Sequence, residues 1–174
     1  MNLSVILNSI IEDQINNLNS FTKRTAKEFG ALIFNTSRGI VLDMIQMGEK
    51  TSINLKFTRK LEADEKLVGS FHCHPITDSP SFWDIGTFLK ADWEKVSCVA
   101  GSKGNLTVMV KRTYTKNLAS EDIMGWREEC IKKGYNLEGL SKKYGFDSYK
   151  GKPTELKCLN KDSGLPVTLE SLVK

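Results

Sequence analysis

At 174 residues, with 40% hydrophobic and 26% charged residues, the chain suits one domain that buries a sizeable core. The net charge of +4 is spread in short doublets such as Lys23-Arg24, Lys132-Lys133 and Lys142-Lys143, so no basic stripe points to nucleic acid. No apolar run approaches the ~20 residues of a membrane span, and Met1 to Asp13 lacks the basic start of a signal peptide.

Leu3, Ile6, Leu7, Ile10, Ile11, Ile15 and Leu18 recur at helical spacing and mark an amphipathic opening helix that packs on a sheet. The period then changes. Phe29 to Asn35, Ile40 to Met47 and Ser52 to Thr58 read as three strands, separated by turns at Thr36-Ser37-Arg38-Gly39 and Met47-Gly48-Glu49-Lys50. Arg59 to Lys66 is charged and reads as a loop before a further strand, Leu67 to His74. Ser81 to Ala91 reads as a helix with Ile85, Phe88 and Leu89 on one face. Two strands follow, Val96 to Gly101 and Leu106 to Arg112, and then a helix from about Ser120 to Lys133. From Gly134 onward the periodicity weakens, and the tail reads as an irregular appendage.

The cysteines, Cys73, Cys98, Cys130 and Cys158, are widely spaced with no Cys-x-x-Cys pair. That argues against a structural cysteine–zinc site or a disulfide framework, and for reduced thiols in a cytoplasmic protein.

The chemistry concentrates in His72-Cys73-His74-Pro75 and Ser81-Phe82-Trp83-Asp84, which hold both of the chain's histidines. Side chains alternate along a strand, so His72 and His74 share one face while Phe71 and Cys73 take the other. Two such imidazoles can hold one zinc ion. A catalytic zinc wants a third protein ligand and an open position for water. With no third histidine, that ligand must be a carboxylate or a thiolate. Asp84, in the first turn of a helix, is the best placed. Asp78 is a second candidate on the loop, and Cys73 faces away. Ser81-x-x-Asp84 also reads as a helix capping box, which is compatible with ligation. A hydrolytic site further needs a general base. Glu28, at the mouth of the first strand beside the small Gly30-Ala31 pair, is nominated.

These residues together resemble the signature of the JAMM (MPN-plus) metalloproteases: a strand-borne Glu, then His-x-His-Pro, a short loop and Ser-x-x-Asp. The matching positions are Glu28, His72, His74, Pro75, Ser81 and Asp84, within a resemblance that spans about Thr25 to Arg112. Ala31 stands where a glycine is usual, and the loop Ile76 to Pro80 is one residue shorter than the family's. The resemblance implies an α/β (α+β) fold, a curved mixed sheet flanked by helices over residues 1–133, with 134–174 appended. It implies Zn2+ held by His72, His74 and Asp84, water activated by Glu28, and an oxyanion donor in Ser81. Its substrates would be the C-terminal tails of ubiquitin-like or sulfur-carrier proteins, cut by isopeptidase or peptidase chemistry. The alternative is a non-catalytic MPN-type scaffold or protein-binding module. Oligomeric state carries no readable signal.

Overall fold

A computed structural model describes residues 3–119, 122–160 and 165–174, with side chains from Ile11 onward. Its elements in chain order are α1 (Leu3–Thr25), β1 (Phe29–Thr36), β2 (Gly39–Met47), β3 (Lys66–Cys73), α2 (Phe82–Lys90), β4 (Val96–Ala100), β5 (Leu106–Lys111), α3 (Ile123–Lys132), α4 (Leu137–Tyr144), β6 (Phe146–Lys152), β7 (Glu155–Cys158) and α5 (Leu169–Val173). All seven strands form a single mixed sheet in the order β2-β1-β3-β4-β5-β6-β7, which is the α/β class expected. Among the described residues β3 and β4 pair parallel, with helix α2 crossing between them, while the other neighbouring strands pair antiparallel.

Helices cover both faces. On one side Ile11, Ile15 and Leu18 of α1 and Leu169 and Val173 of α5 pack onto Ala31, Ile33, Phe71, Cys73 and Val108. On the other, α2, α3 and α4 bury Ile85, Phe88, Trp126 and Leu140 against Met109 and Phe146. The amphipathic stripe of α1 from Ile11 onward therefore does what its spacing predicts. Leu3, Ile6, Leu7 and Ile10, with the expected helix start at Ser120, lie outside the described side chains and residues.

Two expectations are corrected. Ser52 to Thr58 is not a strand of the sheet. Its main chain is held by side chains of β2: Gln46 donates to Lys56 O at 2.8 Å and accepts from Lys56 N at 3.1 Å, and Thr58 N donates to Met44 Sδ at 3.4 Å. Ile53 and Leu55 still turn inward, over Gly30, where an added Cβ would sit 3.0 Å from each. The alternation that suggested a strand is real, but the ladder is absent.

The tail after Gly134 is not irregular. Asn136 caps α4 through its side chain and Gly145, at φ 76°, ends it. β6 then pairs with the whole of β5, from Leu106↔Gly151 to Lys111↔Phe146. Phe146, Leu156 and Leu169 are fully buried in the two cores.

Candidate metal centre and its cleft

Phe71 and Cys73 enter the α1 side of the core, so strand alternation delivers His72 and His74 to the opposite face, beside α2. His74 lies one residue past β3, and its backbone N–H, bonded to Ala100 O at 2.8 Å, continues the pairing with β4. The two Nε2 atoms are 3.0 Å apart. The β1–β3 register sets Phe29 opposite Cys73, which brings Glu28 alongside His74. The Glu28 backbone is fixed on both sides, donating to Glu49 O and accepting from Gly48 N, each at 2.8 Å. Its Oε1 is 3.8 Å from His74 Nε2. Glu28, His72 and His74 form a buried group, with ligand atoms within 4.8 Å of one another, that can hold a metal ion.

Asp84 reaches the same point from α2. Its Oδ1 is 3.3 Å from His72 Nε2 and its Oδ2 is 3.4 Å from His74 Nε2. The aim is set by a complete capping box. Ser81 Oγ accepts from Asp84 N at 3.2 Å, while Ser81 N and Oγ donate to Asp84 Oδ2 at 2.6 and 2.7 Å. Capping and convergence on the histidines are thus properties of one carboxylate.

The charges are shaped by this proximity. Burial works against an ionised Asp84, but the hydrogen bonds of His72 and His74 outweigh it and hold the carboxyl well below the usual range. Burial likewise opposes a charged His74, yet the adjoining Asp84 and Glu28 push it up. Glu28 is raised by burial, against the lowering influence of both histidines. A carboxylate raised in this way is suited to taking and returning a proton.

The other ligand candidates drop away. Cys73 faces the α1 core, and burial pushes its thiol up to about 12, far from the thiolate a metal needs. Asp78 turns outward to Lys150 of β6, Oδ1 to Nζ 3.0 Å. Its loop is laid against Gly101, where a Cβ would meet Asp78 N at 2.5 Å, so this loop is braced by the sheet rather than aimed at the histidines.

Bonds of ~2.0–2.1 Å and tetrahedral angles put zinc ligands about 3.3 Å apart. The separations among His72, His74 and Asp84 are 3.0, 3.3 and 3.4 Å, so this donor set fits the ion, and Glu28 lies one step farther out.

Beside the histidines runs a cleft of about 610 Å3, lined by Ile53–Leu55, Trp83 and Trp93. Its floor holds His72, Ser70, Ser97 and Glu94. Sequence reasoning missed the last three. Ser70 was within reach of it, since it lies two positions before His72 on the same strand face. Glu94 follows α2 with no local pattern to mark it. Comparisons with protein-family models, with curated proteins and with solved structures find no match, so the arrangement of these residues is what bears on function.

Proposed function

We propose that this chain is a zinc-dependent isopeptidase or peptidase of JAMM type, cleaving after the C-terminal tail of a ubiquitin-like or sulfur-carrier protein. The observation that carries the reading is the convergence of His72, His74 and Asp84 at tetrahedral-edge separations with Glu28 one step behind. Three protein ligands beside an open cleft are the arrangement of a catalytic rather than a structural zinc.

Zinc held by His72, His74 and Asp84 would supply Lewis acidity, lowering the pKa of a water and polarising the scissile carbonyl. Glu28 would accept the water's proton and deliver it to the departing amine, a shuttle that its raised proton affinity favours. Ser81, at the lip of the site on the α2 cap, would turn its hydroxyl from Asp84 toward the developing oxyanion. Ile53–Leu55 lines the cleft outside the sheet's strands, and a substrate tail would pair with this backbone.

The test is metal analysis of the purified chain followed by cleavage of a fusion carrying a Gly-Gly-ended β-grasp protein. About one zinc per chain and cleavage abolished by chelation are expected. A chain that takes up no zinc on titration refutes the proposal.

A further inference from the structure

A second concavity lies on the far side of the sheet from the histidines. It is a groove of about 310 Å3 between α1 and the end of β2, lined by Gln14, Asn17, Leu18, Phe21, Phe29 and Ile45. Leu18 and Phe29 belong to the core that also takes Cys73, so the groove opens on the face opposite to the metal centre. Its walls are large apolar side chains left to solvent. Phe21 is 43% exposed and Ile45 52%, and Met47, paired with Phe29 across the two strands, extends the apolar rim at 57%. The Phe21 and Phe29 rings stack at 5.7 Å, which fixes one wall. β2 is the last strand of the sheet on this side, so among the described residues no strand pairs with its outer edge. Contiguous apolar side chains beside an open edge mark a place where another chain binds.

The charges around the groove say what covers it. Lys23, Arg24 and Lys27 cluster where α1 ends. The Arg24 guanidinium lies 4.8 Å over the Phe21 ring, and neither Lys23 nor Arg24 enters an ion pair among the described residues. Lys27 has an exposed contact of 4.0 Å to Glu49. Toward the other end stands Asp13, one helical turn before Asn17. The groove is thus apolar along its middle and basic at the α1 C-terminal end. Gln14 adds a polar contact. Its Nε2 reaches the Leu42 carbonyl at 3.5 Å, long for a hydrogen bond, and its Oε1 has no donor among the described residues. A small turn of that amide would let it accept a main-chain N–H.

We infer that this groove docks a short extended segment of another protein, in which an aromatic side chain is followed by carboxylates. The aromatic ring fills the space between Leu18, Phe21 and Ile45, the carboxylates meet Arg24 and Lys23, and the main chain runs along the free edge of β2. A second copy of this chain fits less well, because a two-fold contact sets the groove against itself, hollow to hollow. The site stands apart from the hydrolase reading, since its occupant leaves the opposite face of the sheet open.

The probe is a fluorescein-labelled peptide, Gly-Ser-Phe-Ser-Asp-Glu-Asp, titrated with the full chain and followed by fluorescence anisotropy. Two control peptides carry alanine for the phenylalanine, or lysine for each acid. The parent peptide should bind saturably, equally with and without zinc, and both controls roughly tenfold or more weakly. Arg24→Glu should weaken the parent peptide by roughly tenfold and strengthen the lysine peptide, an exchange that misfolding cannot produce. Ile45→Ser should weaken both. Arg24 and Ile45 are exposed, so both variants should keep the parent circular dichroism. Absence of saturable binding, binding unchanged in Arg24→Glu and Ile45→Ser, or binding that needs zinc overturns the dock. A chain that dimerises through the groove, shown by sedimentation and reversed in Ile45→Ser, also overturns it. Groove-dependent binding by a chain that cleaves no substrate supports the dock and counts only against the hydrolase reading.

Discussion

The third metal ligand separates two arrangements that the geometry sets side by side. Asp84 offers oxygens at 3.3 and 3.4 Å from the histidine nitrogens, whereas Glu28 stands at 3.8 Å from His74. Asp84→Asn keeps the shape and an oxygen for the Ser81 N–H but removes the charge. Loss of outer-shell partners alone costs ~10- to 100-fold in metal affinity, so loss of a ligand should exceed ~100-fold, about 2.7 kcal/mol. Glu28→Gln should bind zinc nearly as the parent does and lose turnover by ~10²- to 10⁴-fold. Ser81→Ala removes the hydroxyl of the capping box. It should cost about 1 kcal/mol, a drop in melting temperature of roughly 2–4 °C for a chain of this size, while zinc stays bound. Chelator-competition titrations and melts with and without zinc read all three. If Asp84→Asn binds zinc like the parent and Glu28→Gln does not, the ligand set is Glu28–His72–His74, and the roles assigned to the two carboxylates are reversed.

Other outcomes follow from the same contacts. His74 is raised in the metal-free protein above its ordinary 6.5, so its contribution is fully present below that value and is lost as pH rises through the raised one. Metal-free melts should fall as pH rises above 6.5 through the raised value, while zinc affinity rises over the same range because His74 must shed its proton; a flat profile in both refutes the assignment. Arg59 bridges Asp43 and Glu65 at 2.6 Å each and ties down the segment that walls the cleft. Arg59→Met should speed proteolytic nicking within residues 48–66 and raise KM with kcat retained, and unchanged nicking refutes that tie. A fragment of residues 1–133 should fail to fold. It lacks Leu140, Phe146, Leu156 and Leu169, all 1% exposed or less, worth ~1.5–3 kcal/mol each against a whole-domain stability of ~5–15 kcal/mol. A cooperative melt of that fragment would refute the estimate.

What the sequence disclosed follows from where the causes lie. β1, β3, β4 and β5 were legible as short apolar runs bounded by turn or loop residues, β2 by its alternation, and α2 because Ser81-x-x-Asp84 announces its start. The His-x-His pair was legible because strand period alone puts both rings on one face. β6 was hidden because its buried positions, Phe146 to Tyr149, include Asp147 and Ser148, so no apolar run marks it. Asp147 is held there by Arg112 Nε at 2.6 Å, a partner 35 positions away that no local window contains. Ser52 to Thr58 failed in the opposite sense. Its alternation is genuine, but its hydrogen bonds go to side chains of β2, which hydropathy does not record. Glu28 could be nominated but not placed, since only the β1–β3 register brings it to His74.

The four converging groups sit at or just beyond the ends of regular elements: Glu28 before β1, His72 and His74 at the exit of β3, and Asp84 in the first turn of α2. Element ends leave backbone donors and acceptors over, and here those groups are used to aim side chains. Glu28 is pinned by Glu49 and Gly48, His74 by Ala100, and Asp84 by the Ser81 N–H. The loop between them is braced by Lys150. None of these bonds involves a metal, so the donor set is positioned by the fold and not by the ion. The chain should therefore differ from small zinc modules that unfold without their metal. Chelation should leave far-UV circular dichroism and the cooperative melt in place, and added zinc should raise the melting temperature by mass action on a formed site. Loss of the cooperative transition on chelation would show instead that the ion, not the sheet and the α2 cap, holds Glu28, His72, His74 and Asp84 together.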